Sequence, residues 1–480
     1  MQEIISVAIS GPGYLRGRIT DELTPAVARA LGASLAMRAA PGAKFVVGSD
    51  LSEGSAELKA AFSEGLLQRP LDVVDLGAVA APLVLHAQRR VDAEGAALVS
   101  RSMLPPGSTG LAWRLAGKMP TPEDLLAPPP APSDKALPPN KGRRGAARKA
   151  RATGVEHRKP RALDISFDYV AHLQWRFIDA MNSAVDVVVA AEQPEWTPIA
   201  RRYLQAVFPL GLFSAVEQSS SGVGRLEGSG RSLADDLSDS VYRHQADMGL
   251  NLGGHLDRLE IVDDQGVPFS PDESAWLVLS SCDTKLRGEA VVLDDRLSVQ
   301  LDRAIAQWGG KAVRHERDPS LIADTMRQSG ALLGFDLDGR VFFRELEGED
   351  DALFAACRLI AFLGEHLIPL RSIRDDCPPM TVSPEVLLPL PERTALDDLF
   401  ACIERQWPSR PVVGTANGWG FVLESPQGRV RLQPSRYTDA LSIRFESDRR
   451  EEMLLMADSL VRALPGELAG LLAARTAIIG

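Results

Sequence analysis

The sequence predicts an α/β protein of three tandem α/β domains with mixed, mostly parallel sheets, followed by a C-terminal α+β domain. Three observations lead to this expectation. Short β-branched apolar runs alternate with segments of helical period at spacings of roughly 30 residues, the pattern of βαβ units. The rhythm recurs along a chain of 480 residues, enough for about three or four domains of roughly 100–200 residues each. From residue 386 onward it gives way to strand-like runs and one long helical stretch.

In chain order, residues 44–47 form a β-rich run, 55–67 have helical spacing, 71–76 form a second strand, 83–91 a helix and 95–99 a third strand. The pattern returns at 185–190 followed by 196–207, and at 290–293 followed by 298–308. Residues 420–424, 429–432 and 441–446 read as antiparallel strands, and 449–464 as a helix. The expected domains are 1–126, 164–268, 269–385 and 386–480, with an insert at 127–163.

Hydrophobic content of 45% and charged content of 24% are those of an ordinary globular chain. A net charge of −11 argues against general nucleic-acid binding. Cys282, Cys357, Cys377 and Cys402 share no C-x-x-C spacing and read as buried, reduced core residues. The opening MQEIISVAIS lacks the basic region and long apolar stretch of a signal peptide. No run approaches the roughly 18 apolar residues of a membrane span. The expectation is a soluble, cytoplasmic protein with no membrane partner.

The insert is Pro-rich, then basic: APPPAPSDKALPP leads into NKGRRGAARKARATGVEHRKPR. From Lys141 to Arg161 nine basic residues stand against one acid, Glu156. Such composition buries no core and reads first as a solvated, flexible linker. The sharper reading is an arm at 141–161 that contacts a protein partner or an anionic surface, nucleic acid included.

Residues 249–266, GLNLGGHLDRLEIVDDQG, place a loop just ahead of a strand at 259–262. Alternating carboxylates in such a loop hold Mg²⁺ against a phosphate, because Mg²⁺ demands hard oxygen ligands in near-octahedral geometry. Here the alternating positions are Gly253, His255 and Asp257, so one carboxylate is left. An imidazole is a poor replacement, since it suits softer metals. Asp263 and Asp264 belong to the turn after the strand, together with Gly266.

Further blocks, in the same order, resemble the α-D-phosphohexomutase (phosphomannomutase/phosphoglucomutase) family. YLRGRITDELTP resembles that family's Asp-Ile-Arg-Gly segment and helix start, with Arg16 and Gly17 in register and Tyr14 in place of the Asp. FVVGSD keeps Asp50 of a V-V-G-x-D turn. ALVSRSMLPPGSTGL resembles T-A-S-H-N-P-P-x-x-N-G-x-K, with Ser102 at the serine that carries the transferable phosphate. Met103, Leu104, Thr109 and Ala112 replace its polar neighbours. The opening loop corresponds to D-G-D-A-D-R, so Asp257 is a metal-ligand remnant, His255 a poor one, and Arg258 a substrate contact. GFDLDGRVFF resembles the sugar-recognition segment G-E-x-S-G-H, placing Asp336, Asp338 and Arg340 on the sugar or its phosphate. QPSRYTD resembles the phosphate loop R-P-S-G/N-T-E-P, with Ser435 kept, Gln433 for the arginine, and Arg436 three residues later as a substitute cation.

The resemblance implies the predicted fold, arranged around a central cleft, with a hexose phosphate as substrate and Mg²⁺ only if the metal loop still functions. Three functional readings follow. The first is a degenerate phosphohexomutase that keeps a phosphosugar site but little or no mutase activity, a pseudoenzyme without a cofactor. The second is an active intramolecular phosphotransferase working through phospho-Ser102. The third is a non-catalytic scaffold or regulator that uses the basic insert.

Overall fold

A computed structural model describes residues 9–102, 108–126, 159–216, 232–282, 286–315, 319–390, 396–407, 411–413, 421–425, 428–435 and 440–475. Most of the basic arm therefore lies outside the described residues. Two compact units emerge: residues up to 218 with 251–258 and 351–357, and residues 219–250, 259–350 and 358–480.

The first unit opens with seven strands: β1 (Ile9–Gly11), β2 (Tyr14–Gly17), β3 (Lys44–Ser49), β4 (Asp72–Ala78), β5 (Gly95–Ser102), β6 (Ser108–Leu115) and β7 (Arg161–Ala162). Their order is β1-β2-β6-β5-β3-β4-β7. The β3, β4, β5 and β7 pairings are parallel and those through β1, β2 and β6 antiparallel. Helix Pro25–Arg38 starts where the chain reads Thr24-Pro25: the threonine hydroxyl accepts the Val27 N–H, and proline occupies the first turn. It packs against helix Ser55–Leu66 at two glycines, where a Cβ on Gly32 would lie 2.2 Å from the Phe62 carbonyl oxygen. Leu31, Phe45, Phe62 and Trp113 anchor the core beneath. Arg161 and Ala162, expected within the insert, instead extend this sheet as β7. A two-residue edge strand has too little pattern to be seen in sequence.

In the same unit β8 (Asp186–Ala190) and β9 (Leu212–Ala215) pair in parallel. Helix Ser166–Arg176 buries Tyr169, whose hydroxyl donates to both Asp351 oxygens at 3.0 and 2.8 Å. Asp351 in turn accepts the Phe354 N–H at 2.9 Å, capping the start of helix Ala352–His366.

β10 (Met248–Asn251) runs into the loop at 252–259, and β11 (Glu260–Asp263) leaves it. In the second unit, β11 ends in the turn expected from Asp263, Asp264 and Gly266. Asp263 Oδ1 accepts the N–H groups of Gln265 and Val267, both at 2.9 Å, and Gly266 has φ +78°. The next sheet has the order β13-β12-β14-β15-β16, from β12 (Ala290–Asp294), β13 (Lys311–His315), β14 (Leu333–Phe335), β15 (Val341–Phe343) and β16 (Glu349–Asp350). β13, β12 and β14 are parallel, and β15 and β16 return antiparallel.

The last sheet is antiparallel throughout, as the α+β expectation requires. It comprises β17 (Thr381–Val382), β18 (Val386–Pro389), β19 (Pro411–Val413), β20 (Phe421–Ser425), β21 (Gly428–Pro434) and β22 (Ala440–Ser447). Helix Arg450–Ala463 covers its apolar face, where Phe445, Leu432, Met456 and Leu460 are buried. Its other face is polar and docks on the β12 sheet. Arg444 forms a buried ion pair with Asp272 and donates to the Arg296 carbonyl at 2.5 Å. Arg296 binds both Asp294 oxygens, at 3.0 and 2.6 Å, and Glu385 at 3.0 Å.

Removing one partner of a fully buried pair strands the other charge. Arg444→Met is therefore expected to lower stability by about 3–5 kcal/mol in denaturant titration, well beyond the effect of Arg462→Met on the exposed helix face.

Candidate active site

Ser102 is the last residue of β5, opposite Ser108 of β6. The replaced positions Met103 and Leu104 lie outside the described residues. The peptide just before the serine is clamped from both sides. The Arg101 N–H donates to Asp50 Oδ2 at 2.6 Å, and the Arg101 carbonyl accepts from His255 Nε2 at 2.7 Å. Asp50, at the end of β3, also accepts from Ser52 through its N–H at 3.1 Å and its hydroxyl. Burial pushes the Asp50 carboxyl up, but the Ser52, Arg101 and Ser55 hydrogen bonds and nearby His255 together hold it below the usual carboxylate range.

His255 facing a carbonyl oxygen must carry its proton on Nε2, and the Gln193 amide lies 3.5 Å from Nδ1. Both ring nitrogens thus face protein groups, and His255, expected to be a poor metal ligand, orders the backbone here. Asp257 is 5% exposed, with Oδ1 3.9 Å from Arg258 Nε. Arg258 reaches Glu192 at 3.2 Å, so this expected substrate contact has a carboxylate partner within the same unit. Asn251 Oδ1 accepts the Gly253 N–H at 3.3 Å. Leu256, buried between His255 and Asp257, sits at φ +57°, a left-handed conformation unfavourable for a bulky residue. Among the described residues no three His, Cys, Asp or Glu side chains converge to hold a metal. The donors of this loop do not fit Mg²⁺, which needs several hard oxygens.

Arg16 pairs across β2 and β6 with Gly110, and its guanidinium lies 5.0 Å from the Tyr14 ring centroid. The tyrosine replacing the family's Asp thus packs against this cation.

In the second unit, Asp336, Asp338 and Arg340 share the loop after β14. Gly339 (φ +88°) leaves no room for a side chain, since a Cβ would lie 2.8 Å from the Leu259 carbonyl oxygen. Asp336 is only 4% exposed, and its Oδ1 accepts the Arg340 N–H at 2.8 Å. The Arg340 guanidinium pairs with Asp350 and lies 3.8 Å from Asp336. This corrects two expectations: Asp336 shapes its loop rather than facing a sugar, and Arg340 is held by carboxylates rather than open to phosphate. Asp338, with 29% of its side chain exposed, is the accessible carboxylate of the three. Burial, with Asp338 and Asp294 close by, pushes the Asp336 carboxyl up to about 8 against the pull of Arg340. Ser435 caps the hairpin between β21 and β22 through its N–H to the Ala440 carbonyl at 2.7 Å. Arg436 lies outside the described residues.

Sequence reasoning passed over Asp294, Arg296 and Glu385. The signal was present in DDRLS (294–298), a charged run directly after a buried strand. Ligand crevices of α/β sheets lie at that carboxyl end.

Residues 9–126 match the description "Phosphoglucomutase/phosphomannomutase, alpha/beta/alpha domain I", and residues 270–380 match domain III of the same family. The phosphomannomutase/phosphoglucomutase of Pseudomonas aeruginosa is 26% identical over 92% of this chain and 91% of its own length. A phosphoglucosamine mutase of Desulfovibrio desulfuricans is 25% identical over 95% and 98%. A phosphoglucomutase/phosphomannomutase family protein from Burkholderia thailandensis has the same fold, with a TM-score of 0.73 and 22% identity over 94% and 96%. The chain belongs to the α-D-phosphohexomutase family.

The Asp336 carboxyl sets a pH dependence whose sign follows from its raised value. The folded chain holds this proton up to about pH 8, while the unfolded chain releases it near 3.8. The contribution of this group to stability is thus fully present below that lower value and is lost as pH rises through the window. Asp336→Asn, which keeps the Oδ1 acceptor, is expected to flatten the decline between pH 5 and 8 in thermal melts.

Proposed function

We propose that this chain binds a hexose phosphate and has lost most of the mutase reaction typical of its fold. The observation that supports this reading best is His255 Nε2 donating to the Arg101 carbonyl, from a loop with a single alternating carboxylate left. Phosphoryl transfer relies on positioning and on cationic stabilisation of the moving group, supplied by bound Mg²⁺ where a site holds it. Here the loop spends its imidazole on ordering the strand end instead. Asp50 and His255 still position the Ser102 peptide, but Met103 and Ala112, at the positions aligned with the family's His and Lys, supply neither a proton donor nor a cation.

Losing one stabilising donor costs about 10²–10³ in rate, and losses within one machinery do not simply multiply. The hexose-phosphate part of the reading draws support from Asp338 and Ser435 at the aligned sugar and phosphate loops. No helix among the described residues is long and apolar enough to cross a membrane.

A coupled assay converting glucose 1-phosphate or mannose 1-phosphate to the 6-phosphate, with Mg²⁺ and a bisphosphate activator, tests the catalytic part. Turnover at least about 10²-fold below that of an active relative is expected, and comparable turnover overturns the proposal. Calorimetric titration with glucose 6-phosphate and mannose 6-phosphate tests the binding part, with binding expected for at least one. The paired change Gly253→Asp with His255→Asp is expected to create Mg²⁺ binding that the parent lacks in the same titration.

A further inference from the structure

Helix Ser166–Arg176 carries apolar residues on two opposite faces. Tyr169 and Leu173 face the core and are buried. Phe167, Ala171 and Trp175, spaced by four residues, form a second stripe on the far side. Phe167 is 85% exposed and Trp175 67%, whereas the outer face of a surface helix is ordinarily polar. The Arg176 guanidinium lies 5.8 Å from the Trp175 ring centroid and braces the ring without covering it.

The apolar surface continues past the helix. Ile178 follows it in the chain and is exposed. Gln174 donates to the Ala206 carbonyl at 2.8 Å, and the Phe177 and Phe208 rings lie 6.4 Å apart. The chain from 206 onward therefore runs beside the helix, where it presents Leu210 and Leu212, both exposed. Leu212 opens β9, an edge strand of its sheet. Together Phe167, Trp175, Ile178, Leu210 and Leu212 expose on the order of 600 Å² of apolar surface, the upper end of what a monomer leaves in one patch.

Three features select a second copy of this chain as the occupant. The stripe is symmetric about Ala171, with an aromatic ring four residues to either side. A copy running antiparallel about a two-fold axis at Ala171 sets each Phe167 against the other's Trp175, and the small central side chain lets the helices approach closely. The helix ends also differ in charge: Asp164 and Asp168 lie just before and within the first turn, and Arg176 lies in the last. Antiparallel pairing brings each Arg176 to the acidic end of the other copy. Finally, two such patches face to face remove on the order of 1,200 Å² from water, the lower end of the range for a stable interface.

We propose that this chain self-associates as a two-fold symmetric dimer through helix Ser166–Arg176, with Leu210 and Leu212 flanking the contact. The proposal is independent of the hexose-phosphate reading. A contact this small corresponds to a dissociation constant on the order of 10 µM.

Sedimentation equilibrium of the full-length protein, from about tenfold below to about tenfold above that concentration, tests it. The parent is expected to pass from monomer to dimer mass across this range. Trp175→Ser and Phe167→Ser are each expected to weaken association at least about 30-fold, as loss of a central aromatic anchor does. Ala171→Glu is expected to abolish it by setting two carboxylates together at the axis. All three positions lie on the outer face of the helix, so circular dichroism is expected to show each variant folded as the parent is. A parent that stays monomeric throughout overturns the proposal. A dimer that every variant leaves unchanged overturns it too, because that dimer forms on another face. If the parent is monomeric and removal of residues 127–158 makes it dimeric, the stripe belongs to that segment in the intact chain, and the proposal likewise falls.

Discussion

An ionised side chain taken out of water needs a counter-charge and hydrogen bonds on its remaining atoms, and the second unit is organised around that requirement. Asp272 and Asp294 are almost completely buried, and each is met by an arginine, Arg444 and Arg296. The two pairs are stitched together because Arg444 also donates to the Arg296 carbonyl and Arg296 also reaches Glu385. Arg314 binds the carbonyls of Asp294, Leu297 and Ser298 and so fixes the whole turn after β12. The last domain therefore docks through matched charges rather than through an apolar patch. Its apolar surface is spent on helix Arg450–Ala463. The same accounting explains Asp336. Arg296 is committed to Asp294 and Arg340 to Asp350, so Asp336 meets its burial by holding a proton.

The first unit solves a different problem, that of ordering the strand end that carries Ser102. Main-chain groups at the end of a strand lack ladder partners and must find others. Asp50 takes the Arg101 N–H and His255 takes its carbonyl, so two side chains finish what the sheet leaves open. The loop that supplies His255 holds buried Leu256 in a left-handed conformation, which costs on the order of 1–3 kcal/mol. Such strain persists only where surrounding contacts over-determine the backbone. Here the Leu256 carbonyl accepts the Ala352 N–H at 3.2 Å, and the Gly253 carbonyl accepts the Glu192 N–H at 3.2 Å. The loop is thus a well-built structural element, whatever chemistry its residues support.

Much of the fold was legible because strands and helices leave a periodic trace. The runs at 44–47, 95–99, 185–190 and 290–293 all became central strands, three of them extended at the C-terminal end and 185–190 shortened by one residue at its start. Thr24-Pro25 marked a helix start, and Asp263 to Gly266 marked a turn, since both depend on local hydrogen bonds and φ alone. β7 and β17 escaped notice, because two residues carry no period and owe their strand form to a neighbour far along the chain.

The site was legible only as a set of residue types. Local sequence determined that the metal loop holds one alternating carboxylate and that Asp263, Asp264 and Gly266 form a turn, because spacing and backbone preference are properties of short segments. Which partner each charged side chain finds is decided by folding, since the partners are distant in sequence. His255 and Arg101 stand 154 residues apart, and Arg444 and Asp272 stand 172 apart. Tertiary structure made His255 a backbone clamp and drew Arg340 to Asp350. Only packing brings such groups together, because they lie far apart along the chain.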